Sequence, residues 1–179
     1  MKIEIFPNVR KNTGEVCTAE RFHGLTDSEN VRRCASRLAD TGLSQNERQE
    51  IKSAMLPVIT WQASYAGDRR CNRNAVPSGL YMLDIDHVEE EEVSRIINLA
   101  MGLISERDLV YIGRSISRKG VRIVAECRPE FCTIKDCQEW LSAQLGVEYD
   151  SACKDWARAS YLVPFEYISY LDGSIFERE

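Results

Sequence analysis

The sequence predicts an α+β fold, and three observations carry that expectation. Apolar runs of strand length alternate with stretches of helical periodicity, no run of eighteen apolar residues exists, and the elements after Leu80 follow the order β-α-β-β-α-β. At 179 residues and 44% hydrophobic composition, the chain is long enough for one compact domain, or for two small modules sharing a core.

Taken in order, "KIEIF" reads as an opening strand. A helix should start near Asp27 and carry Val31, Cys34, Ala35 and Leu38 on one face. A second begins at "SQNE", where Ser44 and Glu47 form a capping-box pattern, and stops before Pro57. "PVITW" is a strand, and "GDRRCNRNAVPSG" a polar loop.

From Leu80 the strand "LYMLDID" leads to a helix with Val93, Ile96, Ile97, Ala100 and Met101 along one stripe. The strands "DLVYIG" and "GVRIVAEC" flank the hairpin loop "RSISRK". A helix capped by Thr133 follows, with Cys137, Trp140, Leu141 and Leu145 inward, then a loop and a strand near "ASYLV". This is the ferredoxin-like, or RRM-like, order.

In such a sheet the third strand runs antiparallel beside the first, and the fourth lies on the first strand's other side. Alternation turns Tyr81, Leu83 and Ile85, with Val121, Ile123 and Ala125, toward the helices. Asp84, Asp86 and Arg122 then project from the opposite face, with the segment from Asp150 to Arg158 arriving beside them. Two carboxylates one residue apart repel unless a cation sits between them. With Asp150 as a third acid, the site suits Mg²⁺ or Mn²⁺ as a two-ion centre. Ser115, Ser117, Lys119, the Gly120 backbone, Arg122, Lys154 and Arg158 would supply donors for a triphosphate.

Net charge −5 and a pI of about 5.2 argue against a protein that coats nucleic acid nonspecifically. Local charge differs: Arg114, Arg118, Lys119, Arg122 and Arg128 face one acid, Glu126, and Arg69, Arg70 and Arg73 form a second cluster. The seven cysteines lack any CxxC pair and read as reduced, mostly buried thiols. Cys127, Cys132 and Cys137 stand at the edge of zinc-ligand spacing with no histidine following. No signal-peptide pattern opens the chain, so a soluble, intracellular protein is expected.

"LPVITWQ…SGLYMLDIDHVE", "SISRKGVRI" and "YDSACKDWARASYLV" resemble the catalytic segments of the archaeo-eukaryotic primase (primase-polymerase) superfamily, most closely the virulence-associated protein E N-terminal domain group of bacterial and phage mobile-element primases. The similarity runs from about Ile51 to Phe176. It implies one catalytic domain over 1–179, with an N-terminal α/β module (1–78) packed against an RRM-like catalytic module (79–179). Asp84 and Asp86 match the group's metal-binding DxD motif and Asp150 its lone third acid. Ser115, Ser117, Lys119 and Gly120 match the segment contacting the incoming nucleotide, and Arg158 a basic residue after the third acid. The resemblance further implies Mg²⁺ or Mn²⁺, NTPs or dNTPs, a single-stranded DNA template, a cytoplasmic setting, and a helicase or other C-terminal region in full-length relatives. Arg122 stands where many members have histidine, and "ASYLVPFEY" differs from the group's apolar-Ser-Tyr-Asp run.

Two other readings compete. A catalytically degenerate primase fold would bind nucleic acid or protein without depending on the three aspartates. "LDIDHV" also resembles the DxDx(T/V) opening of haloacid-dehalogenase phosphatases, although some eighty residues precede it. Among other residues, His87 reads as a surface cap of the next helix, and the acids from Glu89 to Glu92 suit that helix's first turn. Trp61 and Tyr65, beside the Arg69 to Arg73 cluster, could stack on template bases, with core packing the favoured role for Trp61; Trp156 is open between stacking and packing.

Overall fold

The computed structural model describes residues 2–105 and 107–177. In chain order its elements are β1 (Glu4–Phe6), β2 (Glu15–Val16), α1 (Ala19–Thr26), α2 (Glu29–Ala39), α3 (Gln45–Glu50), β3 (Val58–Thr60), β4 (Ala63–Ser64), β5 (Val76–Pro77), β6 (Leu80–Asp86), α4 (Glu90–Leu103), β7 (Leu109–Arg114), β8 (Gly120–Glu126), α5 (Ile134–Leu145), β9 (Ser160–Tyr161) and β10 (Ile168–Leu171). The class is α+β with antiparallel sheets. One sheet has the order β2-β1-β3-β9, a second β10-β7-β8-β6, and β4 pairs with β5.

Helix boundaries follow local chemistry. Ser28 caps α2 by accepting from the Val31 amide, and the helix buries Val31, Cys34, Ala35 and Leu38, the stripe read from the sequence. The Ser44–Glu47 capping box opens α3, which runs into a π-helical turn, Ile51–Met55, and ends ahead of Pro57. Thr133 and Asp136 form a second box on α5, which stops at Gly146 in the left-handed region, φ 66°. Helix α1 was not foreseen: its eight residues contribute only Phe22 and Thr26 to the interior, too few for a clear periodic signal. In α4 the stripe is narrower than expected. Val93, Ile96 and Ala100 are buried, whereas Met101, on the flank of the stripe, is 46% exposed.

The β6–β8 sheet buries both of its faces. On one, Tyr81, Leu83, Ile85, Val121, Ile123 and Ala125 pack with α4 and α5, as alternation requires. On the other, Leu80, Met82 and Val124 share a core with Ile3, Ile5, Phe22, Ile59 and Trp61 of the first half of the chain. Trp61 donates to the Ser160 hydroxyl at 3.0 Å and packs on Tyr111, with centroids 5.2 Å apart. Tyr65 is equally buried and donates to the Trp156 carbonyl at 2.8 Å. Neither ring has a face for a template base, so Trp61 packs in the core as expected and base stacking is set aside for Tyr65 as well.

The last expected strand is placed differently. Strand β9, in "ASYLV", does not pair with β6; it pairs antiparallel with β3, Val58 opposite Tyr161. The outer edge of β6 is satisfied by other groups. The Met82 amide donates to Gln62 Oε1 at 2.9 Å, the Met82 carbonyl accepts from Gln138 Nε2 at 2.8 Å, and the Asp84 carbonyl accepts from the Asp150 amide at 2.8 Å. These partners occupy the middle of the edge, where a fourth strand was expected.

Candidate functional site

The site sits where β6 ends. Antiparallel pairing sets Asp84 opposite Arg122 and Asp86 opposite Gly120. Gly120 is required by close approach: a Cβ there would stand 2.4 Å from the Ile85 carbonyl oxygen, and 3.2 Å from both Asp86 Oδ1 and Ser115 Oγ. The glycine thus leaves room for the Asp86 and Ser115 side chains beside bare backbone.

Arg122 Nη2 donates to Asp84 Oδ2 at 2.8 Å, and Nη1 to the Tyr161 carbonyl at 3.3 Å. The two side chains are only 7% and 8% exposed, so this is a buried ion pair. Its satisfaction is incomplete, because Asp84 Oδ1 and Arg122 Nε are buried without a hydrogen-bond partner. Burial opposes the charge on Arg122, but the adjoining Asp84 carboxylate outweighs it and raises the guanidinium's pKa.

Asp150 arrives through its backbone bond to Asp84, and its carboxylate pairs with Arg158. Asp86 lies at the exposed end of the strand. Partial loss of hydration, then the Asp84 charge, push its pKa up; Asp150 adds to the rise, while Arg122 and His87 oppose it. Asp86 thus feels both of the other acids. Nearby, burial first and Asp84 second push the Cys153 thiol up to about 12, which keeps it neutral.

The hairpin after β7 carries the remaining donors. Ser115 and Ser117 hydroxyls lie 3.2 Å apart, and the Ser115 amide bonds the Gly120 carbonyl at 2.8 Å. Arg118 and His87 both adopt left-handed backbone, φ 63° and 59°, which a side chain disfavours. The bond from the Val88 amide to the Lys119 carbonyl, 3.0 Å, ties these two turns together. His87 does not cap α4; Glu89 occupies that position, with Glu90, Glu91 and Glu92 in the first turn.

Two recesses are lined by residues of the site, though Asp86 itself lines neither. One, of about 540 Å³, is walled by Arg70, Asn72, Asp84, Arg122, Arg158 and Tyr161; the other, of about 700 Å³, by His87, Ser117, Arg118 and Lys119. Lys154 is exposed on the short 3₁₀ turn Ser151–Lys154 and lines neither of these recesses.

As a donor set, three carboxylates and no sulfur suit a hard divalent cation, and the orphaned Asp84 Oδ1 is a ready oxygen for one. Among the described residues no three His, Cys, Asp or Glu side chains form a group arranged to hold a metal ion. Asp84 and Asp150 are instead each turned onto an arginine. Cys127, Cys132 and Cys137 are free thiols, as are the other four cysteines, of which Cys17, Cys34 and Cys153 are buried along with Cys137.

Three contributors escaped sequence reasoning. Gln62 bonds the Met82 amide and donates to the Cys153 and Asp155 carbonyls at 2.9 and 3.1 Å, tying β6 to the 150–158 segment. Its partners lie 20 and about 90 residues away, so no local signal exists. Gln138 left a signal, a polar residue among the buried positions of α5. Arg70 was seen only as part of a basic cluster; it lies over the Phe6 ring at 4.9 Å, donates to the Val9 carbonyl at 2.8 Å, and reaches the Asp84 recess.

No helix among the described residues is long and apolar enough to cross a membrane. A family model described as BT4734-like, N-terminal domain, matches residues 50–164, more than half of the chain and all of β6 to β9. Comparison with curated proteins and with solved structures gave no match.

Proposed function

The chain belongs to the BT4734-like N-terminal domain family, and from its site we propose that it is a primase-polymerase nucleotidyltransferase, making or extending primers on single-stranded DNA from NTPs or dNTPs. The observation that carries this reading is the arrival of Asp150 on the Asp84 backbone, 66 positions along the chain, which adds a third acid to the Asp84/Asp86 pair opposite Arg122. The run β6-α4-β7-β8-α5 supports reading the catalytic unit as RRM-like, and the sequence resemblance to archaeo-eukaryotic primases agrees with it.

Asp84, Asp86 and Asp150 would hold Mg²⁺ or Mn²⁺, which when bound supplies charge to activate a 3′-hydroxyl and to stabilise departing pyrophosphate. The chain's own groups do the rest. Gly120 leaves room for a phosphate to approach backbone, the Ser115 and Ser117 hydroxyls and Lys119 donate to its oxygens, and Arg122 and Arg158 match its charge. Lys154, exposed nearby, adds long-range attraction for the template or nucleotide. Catalysis rests on positioning and electrostatics. A helicase is the partner class that such a primase would serve.

A degenerate binding module is the second reading, favoured by the fact that Asp84 and Asp150 are already neutralised by arginines. Primer synthesis decides between them. The purified chain, single-stranded DNA, labelled nucleotides and Mg²⁺ or Mn²⁺ should give metal-dependent products, with and without primer, and Asp84→Asn/Asp86→Asn should lower them at least about 10³-fold, the scale of losing electrostatic stabilisation. No product, together with DNA binding indifferent to that double substitution, would establish the module instead.

A further inference from the structure

The site holds two carboxylate–arginine pairs, Asp84 with Arg122 and Asp150 with Arg158, on neighbouring segments. Each pair joins a group suited to a cation with a group suited to a phosphate. The first pair is incompletely satisfied, since Asp84 Oδ1, Arg122 Nε and, in the same recess, Arg70 Nη1 are buried polar atoms without partners.

From this we infer that the two pairs are placeholders that couple the binding of metal to the binding of polyphosphate. The inference rests on the site being a metal- and nucleotide-binding one, as proposed above. A divalent cation arriving alone, even at the unpartnered Asp84 Oδ1, competes with Arg122 for the carboxylate's charge and leaves a buried guanidinium poorly compensated. A polyphosphate arriving alone must draw the arginines away and leave the Asp84 and Asp150 carboxylates uncompensated, both of them acting on Asp86. When both arrive together, the cation takes the carboxylates and the phosphates take the arginines, so no charge is stranded. Arg70 then offers its unpartnered Nη1 to the same anion without giving up its bond to the Val9 carbonyl. Coupling of this kind is reciprocal: metal tightens polyphosphate as much as polyphosphate tightens metal.

The pairs make opposite-signed predictions for their two members. Asp150 and Arg158 are the safer pair to alter, since Arg158 is 39% exposed. Calorimetry on the full chain would use three probes: Mn²⁺ alone, inorganic tripolyphosphate with a chelator, and the preformed Mn²⁺–tripolyphosphate complex. The wild type should bind the complex at least tenfold more tightly than either component. Arg158→Gln should bind Mn²⁺ alone about tenfold more tightly than wild type and lose affinity for the complex. Asp150→Asn should bind tripolyphosphate alone about tenfold more tightly and lose the metal enhancement. Arg122→Gln and Asp84→Asn should repeat the pattern more strongly where circular dichroism shows them folded.

If Arg158→Gln binds Mn²⁺ no better and Asp150→Asn binds tripolyphosphate no better than wild type, the pairs are simple staples and the coupling is refuted, whatever primer synthesis shows. Primer synthesis with independent, uncoupled binding of the two probes overturns the inference while leaving the nucleotidyltransferase reading intact. Failure of every variant to bind any probe overturns both.

Discussion

Strand β6 presents two faces that obey different rules over the same seven residues. Toward α4 and α5, Tyr81, Leu83 and Ile85 share an apolar core with Val121, Ile123 and Ala125. Toward the other side, Leu80 and Met82 begin as core, but Asp84 and Arg122 follow as a buried ion pair and Asp86 as a charged rim. Burying a side chain such as Leu83 stabilises the fold by about 2 kcal/mol, whereas a buried ion pair is weak evidence of stabilisation, because desolvation offsets its attraction. The helix face is built for stability alone. The charged end of the opposite face keeps groups that a purely structural sheet would replace.

The largest effect on stability should come from splitting the pair. Arg122→Ala strands Asp84 as an uncompensated buried charge and should cost about 3–5 kcal/mol in urea unfolding. Replacing both residues, Asp84→Leu with Arg122→Leu, should return the fold to wild-type stability or above it by about 1 kcal/mol or more. If the double variant is as unstable as the single, the charged face is structural after all and the contrast between the faces collapses. Next in size, Leu83→Ala on the helix face should cost about 3 kcal/mol, with no sign reversal available from any partner substitution.

A smaller loss tests how the charged face is held. Gln62→Leu leaves the buried Met82 amide without its acceptor and the Cys153 and Asp155 carbonyls without their donor, and should cost about 2 kcal/mol. Because Gln62 links β6 to the segment bearing Asp150, the variant should also bind Mn²⁺ less well, whereas Leu83→Ala at matched stability should not. Equal metal affinity in the two variants would show that Gln62 supports the strand and not the site.

Much of this contrast was legible before any coordinates. Alternation in "LYMLDID" and "GVRIVAE" assigned both faces correctly, and the antiparallel pairing of these strands set Asp84 against Arg122 and Asp86 against Gly120. The capping box at Ser44 and the cap at Thr133 marked their helices because such signals lie within four residues; the box that Thr133 makes with Asp136 is added by the structure. What failed was non-local. The "ASYLV" strand was expected beside β6, but two glutamine side chains and the Asp150 amide bond the middle of that edge, and the strand joins β3 across a separation of about 100 residues. The arginine partners of Asp84 and Asp150 were visible as residues, yet their occupation of the very carboxylates assigned to metal depends on rotamers that no pattern encodes.

The smallest expected effect is also the one whose sign can reverse. In the folded chain the Asp86 carboxyl is raised, by lost hydration and then by Asp84, so its ionised form opposes folding. Its stabilising contribution is full below the unfolded pKa, about 4, and is lost as pH rises through the higher folded value. At pH 7 without metal, Asp86→Asn should therefore be slightly more stable than wild type, by about 0.5 kcal/mol since the side chain is exposed and screened. The gain should vanish in melts run below pH 4 or so. Adding Mn²⁺ turns the comparison round, because a ligand of the folded state at 100 times its Kd stabilises by about 2.7 kcal/mol and the wild type would gain more of this than the variant. A variant that is less stable than wild type in chelator would mean that Asp86 contributes to the fold as an ordinary rim charge. A crossover on adding metal is what a carboxylate kept for a cation requires.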